Sequence, residues 1–186
     1  MYQGFFYYSK MLYLCIIIKN KDMKKETLYQ FENVEDIKKF IVGGNAIFTL
    51  ESKITGNWFT YKIKKMKDAD EKSPLFVYVL TGSDNEGSYT YMGSIFNYGK
   101  LIFKLTPKSK IKQDALSYKA FSFFFNLLML NQIHKDMGIY HKGICAICGR
   151  TLTTPESLKN GIGSTCAGII STKNSIKNKK SLSYSY

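Results

Sequence analysis

Arginine is almost missing from this chain. Arg150 stands alone among 186 residues, and lysine supplies the other basic side chains of a total of 27, against 14 acids. Histidine is nearly as scarce: His134 and His141 are the whole supply, which leaves little general-base capacity for hydrolytic or nucleophilic chemistry. No Ser-His-Asp set is apparent, and neither a Walker nor a Rossmann glycine pattern occurs. Cysteine is sparse and uneven. Cys145, Cys148 and Cys166 cluster, and Cys15 is remote, unlike the regular framework of a disulfide-stapled secreted domain. The apolar stretch Phe5 to Ile18 is interrupted by Lys10, has no basic region before it and no small-residue cleavage site after it, and is too short to span a bilayer. These absences argue against a secreted scaffold, a membrane partner and an enzyme, and for an intracellular protein in a reducing compartment. Residues 1–32 are expected to be an apolar leader or strand, with Met23 a plausible alternative start.

What is abundant is positive charge. A formal +13 favours polyanionic partners, nucleic acid first, then a membrane surface or an acidic protein. The chain is also rich in Lys, Asn, Tyr, Ile and Phe, as A+T-rich coding would make it, so part of the basicity is compositional.

The expected fold class is α+β: an antiparallel β-meander of four to five strands with a long packing helix, followed by a small treble-clef-like or zinc-ribbon-like finger. A short helix is expected from Asn33, whose side chain can cap the first amides, to Gly43-Gly44; Val34, Ile37, Phe40 and Ile41 share one face. Ala46 to Lys53 and Asn57 to Met66 flank a turn at Thr55-Gly56-Asn57. In the second of these, Phe59, Tyr61 and Ile63 alternate with Thr60, Lys62 and Lys64, giving one buried and one basic face. Pro74 to Thr81, Ser88 to Phe96 and Lys100 to Thr106 complete the meander. Asp114 is expected to cap a helix running to about Gln132 whose core is apolar nearly all round, so that it needs cover on more than one side. The expected divisions are a core domain over 33–133, a finger over 134–170 and a basic, disordered tail over 171–186.

The finger rests on Cys145-x2-Cys148-Gly149-Arg150 and Gly161-Ile162-Gly163-Ser164-Thr165-Cys166. Two thiolates at that spacing on a tight turn can share a metal, and the third falls where Ser164 or Thr165 would cap a short helix, whose dipole favours a thiolate. A structural zinc takes four ligands. His141, four residues before Cys145, is the expected fourth. His134 is the runner-up, and Cys15, water or a partner's side chain are the remaining candidates. Leu152 is expected to pack beneath the metal.

The run His141 to Gly168 resembles a small zinc-finger domain of uncharacterised function found in phage, plasmid and actinobacterial proteins, with a pattern close to H-x-G-x-C-x-x-C-G-R-x-L-T-x-P-x-S-x-x-x-G-I-G-x-x-C. The segment Phe48 to Gly56 also looks like the N-terminal part of phage proteins that carry this finger. The resemblance implies one structural Zn2+ per chain on Cys145, Cys148 and Cys166, supports His141 as the fourth ligand, and implies a cytoplasmic mobile-element protein in a bacterial host.

The leading functional expectation is non-catalytic binding of DNA or RNA through a basic surface. Its expected residues are Arg150, Lys104, Lys108, Lys110, Lys112, Lys142 and Lys159, with Trp58, Tyr61, Tyr89 and Tyr91 as possible stacking platforms. The alternative is a protein-interaction factor, an inhibitor or adaptor acting on host or CRISPR-type defence machinery. A zinc hydrolase using Glu156 as base is a minor third, because the deaminase order of ligands is absent.

Overall fold

A computed structural model of the chain describes residues 28–67, 70 and 73–170. The expectations for the apolar opening stretch before residue 28 and for the basic tail therefore lie outside the described residues. Seven strands form one antiparallel sheet: β1 (Tyr29–Gln30), β2 (Asn45–Ser52), β3 (Trp58–Lys64), β4 (Leu75–Leu80), β5 (Tyr89–Asn97), β6 (Leu101–Lys104) and β7 (Met137–His141). Their order across the sheet is β1-β7-β2-β3-β4-β5-β6. The expected meander is β2 to β6, joined by short turns; Gly56 sits at φ +69° in the first of them. The two extra strands are the correction. β7 inserts between β1 and β2, pairing Phe48 with His141 on one side and Tyr29 with His141 on the other.

α1 (Val34–Val42) forms as its sequence dictates. Asn33 accepts a hydrogen bond from the Glu35 amide at 2.8 Å, Glu35 and Asp36 lie at the positive end of the dipole, and Ile37, Phe40 and Ile41 are buried. α2 (Leu116–Met129) begins later than expected. Its N-cap is Ala115, with no side-chain cap; Asp114 belongs to the turn before it, closed by the Ala115 amide on the Lys112 carbonyl. α2 lies on the sheet through Phe121, Phe124, Phe125 and Leu128; the Phe121 ring meets Phe48, Tyr61 and Phe103, and the Phe124 ring meets Phe48. Its outer side keeps Leu116, Phe123 and Leu130 exposed.

The sheet thus has two unlike faces. The side chains of Ala46, Phe48, Leu50, Tyr61, Ile63, Val77 and Val79 point to the helices and are buried. Their alternates point the other way. A β-bulge between Val77 and Tyr78 on one side and Gly93 and Tyr91 on the other puts Tyr91 and Ser94 on the same outward face, with Met92 fully buried. Glycine is needed at position 93, because a Cβ there would lie 2.5 Å from the Lys104 carbonyl oxygen of β6.

The boundary expected at residue 134 cuts through this architecture. β7 is an interior strand of the sheet, and Cys145, Ala146, Leu152 and Ile162 join the same buried cluster as Phe40, Phe48 and Ile139. The Asn45 amide donates to the Ala146 carbonyl at 2.7 Å, tying the start of β2 to the turn that carries the cysteines. No helix among the described residues is long and apolar enough to cross a membrane.

Candidate metal centre

The chain leaves β7, turns at Gly143 and doubles back over Cys145 to Arg150. This turn is closed by the Cys145 amide on the Arg150 carbonyl (2.8 Å) and the Gly149 amide on the Cys145 carbonyl (2.9 Å), and flanked by a bridge between Ile144 and Thr151. Thr154 then caps α3 (Pro155–Asn160), with Pro155 at its first position. Gly161 ends α3 at φ +69°, and a Cβ there would run into the Phe40 ring, so both backbone and packing require glycine. Residues 164–170 are helical, and the Ala167 amide closes the first turn on the Gly163 carbonyl. Ser164 and Thr165 are therefore inside the helix rather than at its cap, and Cys166 sits in the first turn.

These elements bring Cys145, Cys148 and Cys166 together: their sulfurs all lie within 4.8 Å of one another, close enough to hold a metal ion. Cys145 is buried, Cys166 half-buried and Cys148 exposed. Burial would raise the Cys145 thiol, but the amides of Cys148, Gly163 and Ile147 point at its sulfur, and with the Cys148 side chain they bring it down to about 7. Cys166 moves the other way, to about 11, through burial, its contacts with the Cys148 and Cys145 side chains, and their charge. Three adjoining thiols cannot all ionise by themselves. A cation between them would reverse that repulsion, and Cys145, its sulfur already held by the amides of Cys148, Gly163 and Ile147, would supply the first thiolate. Leu152 lies beside the thiols as expected, and the exposed Arg150 lines the same hollow.

His141 does not join the thiols. Its ring is buried among Tyr29, Phe31 and Phe40, with the Phe31 ring stacked on it at 4.6 Å. Nδ1 accepts from the Gly143 amide at 3.1 Å, so Nε2 carries the proton and donates to the Leu158 carbonyl at 2.8 Å. Both nitrogens are thus committed to backbone, and burial holds the ring below its ordinary value of 6.5, against the Leu158 bond, which raises it. The expected fourth ligand is instead a pin joining β7, the Gly143 turn and α3. His134 is exposed near Asp136 and packs edge-on to Phe123, away from the thiols. Glu156, the conceivable base, is exposed in the first turn of α3. Among the described residues no fourth His, Cys, Asp or Glu completes the group.

The expected basic residues fall into two sets. Lys104 ends the edge strand β6, and Lys108, Lys110 and Lys112 follow it, exposed. Arg150 and Lys159 are exposed on the finger, and Lys142 is half-buried at the end of β7; the finger sits at the opposite, β1–β7 side of the sheet. Of the aromatics, Tyr61 is excluded as a platform: it is fully buried, and its hydroxyl donates to the Ser117 carbonyl at 2.7 Å. Trp58 is exposed, while Tyr89 and Tyr91 are half-buried on the outward face. Lys62, Lys64, Phe76 and Tyr78 share that face and were not among the expected site residues. The alternation in β3 marks both lysines, but Leu-Phe-Val-Tyr-Val-Leu in β4 has no polar alternate to say which side faces out.

Residues 136–171, a segment that takes in β7 and the finger, match a family of unknown function (DUF6011). The matched segment therefore includes β7, the strand that anchors the finger in the sheet. No curated protein and no solved structure matches the chain.

Proposed function

We propose that the chain is a non-catalytic nucleic-acid-binding protein whose treble-clef-like finger holds one structural zinc ion. The three-thiolate group supports the metal. A tetrahedral Zn–S site at about 2.3 Å puts its sulfurs ~3.8 Å apart, which the cluster reaches with little movement, and soft thiolates favour zinc over the hard cations. With His141 committed elsewhere, the fourth place falls to Cys15, to water or to a partner. Cobalt substitution separates these: Cys15→Ser weakens the thiolate-to-cobalt band only if Cys15 is a ligand.

The observation that carries the binding reading is the charge distribution. The chain has a formal +13, and its seven strands hold three lysines and one acid, Glu51, which is engaged with the Tyr140 hydroxyl. A basic protein of this kind fits the mobile-element context that the finger's resemblance implies. Titration of labelled DNA and RNA at rising salt tests it: affinity falls steeply with salt. Absence of any binding at low salt sinks the reading.

One observation favours a second reading, a protein-interaction factor. The exposed Leu116 and Phe123 border an apolar groove with Leu50, Ile54, Phe59 and Met137. Recovery of one stoichiometric protein, insensitive to nuclease and lost in Phe123→Asp, would favour it.

A further inference from the structure

The helices and the finger all pack on one face of the sheet, and no helix among the described residues packs on the other. That uncovered face is not an ordinary polar exterior. At its centre three rings from β4 and β5 lie together: Tyr78 against Tyr91 at 5.6 Å and Phe76 against Tyr91 at 6.3 Å. Lysines stand on both sides of them. In β3, Lys62 is directly opposite Tyr78 and Lys64 opposite Phe76. In β6, Lys104 is opposite Ser94, which is itself opposite Phe76. The aromatic strip is two strands wide, and the lysine pair of β3 is three strand spacings from the single Lys104 of β6, ~14 Å.

We propose that this face is a binding platform for single-stranded nucleic acid, with Phe76, Tyr78 and Tyr91 stacking on bases and Lys62, Lys64 and Lys104 contacting phosphates. The inference rests on the nucleic-acid reading above and deepens it by naming the site and the form of the ligand. Cross-strand pairing accounts for rings that touch. It does not account for two lysines on one border, a third on the other, and only one acid, already engaged, in the strands. Rings beside lysines match the two parts of a nucleotide, and stacking tolerates any base. A duplex offers no free base faces to such a surface, and a broad sheet face does not enter a groove. Lys62 already lies over the Tyr89 ring, 3.8 Å from its centroid. Its ammonium also donates to the Glu86 carbonyl at 3.2 Å; burial and the neighbouring Lys64 disfavour its charge, while Glu86 and Asp84 in the β4–β5 turn favour it.

The full, zinc-loaded chain is titrated into labelled oligo(dT), an RNA strand of the same length and a duplex of that length. Single strands are expected to bind at least about tenfold more tightly than the duplex. Tyr78→Leu and Phe76→Leu keep apolar cover over the sheet and remove a ring. Each is expected to weaken single-strand binding about tenfold. Lys64→Gln, at a solvent-facing position, serves as a variant with no packing role and lowers the slope of log K against log salt by about 0.7. Phe123→Leu, on the other side of the molecule, leaves binding unchanged. Equal affinity for duplex, or ring and lysine variants that bind as wild type, overturns the platform while nucleic-acid binding itself stands. No binding of any probe ends both readings. Polyglutamate competing as well as oligo(dT) also overturns the platform, since charge alone would then recruit an acidic protein.

Discussion

His141 concentrates the most structure in one side chain. A neutral ring that accepts with one nitrogen and donates with the other is matched to its two backbone partners, and a second proton would face the Gly143 amide with no acceptor. His141→Ala is expected to cost about 3 kcal/mol in denaturant unfolding. The purified variant should still hold about one metal ion per chain; loss of the metal with the fold intact would restore His141 as a ligand. Acid should act on the same residue. The unfolded ring titrates near its ordinary 6.5 and the folded ring below it, so the unfolded chain takes the proton first. Stability from this site is complete above about 6.5 and falls as pH drops beneath that value. Melting curves at pH 7.5 and 5.5, flags for this decline, should converge in His141→Gln relative to wild type. At the thiols, Cys148→Ser and Cys166→Ser should abolish stoichiometric metal binding by elemental analysis, each removing one of the three donors clustered among the described residues.

Among the elements, legibility followed how local each one's determinants are. α1 is written in its own residues, from the Asn33 cap to the apolar face, and β3 declares its inward side by the alternation of Phe59, Tyr61 and Ile63 with Thr60, Lys62 and Lys64, although Thr60 is buried as well. β7 does not: Met-Gly-Ile-Tyr-His is five residues long, carries no turn signal of its own and becomes a strand only because β1 and β2 receive it. The spacing His141-x3-Cys145 is equally compatible with a ligand and with a pin, and only the aromatic cage of Tyr29, Phe31 and Phe40, distant in sequence, decides between them. The thiols were legible because turn, glycines and helix start are all local. α3 shows how tightly the finger seats. Gly161→Ala combines a left-handed backbone with a clash against Phe40, and should lower unfolding free energy by at least about 2 kcal/mol; a variant as stable as wild type would mean the finger docks more loosely than described.

For the whole molecule, a core shared between sheet and finger would make a metal held by the three thiols a determinant of global stability. Chelation should lower the midpoint of a single calorimetric transition by at least about 10 °C, and should not produce a separate early transition for the finger. By the same reasoning residues 134–170 expressed alone should lack the dispersed amide spectrum of a folded domain even with zinc, because Ile139, Cys145, Ala146 and Leu152 then lose the surface they pack on.

The position of β7 has a consequence for how the chain is made. A ribosome delivers β2 through β6 as a run of neighbouring hairpins, each able to zip as it emerges. The outer edge of β2 has to wait for a strand some ninety positions downstream, and until then it offers an unpaired row of amides and carbonyls to any passing chain. Synthesis interrupted before β7 therefore leaves a nascent protein that is nearly complete in helix and meander yet sticky along one seam.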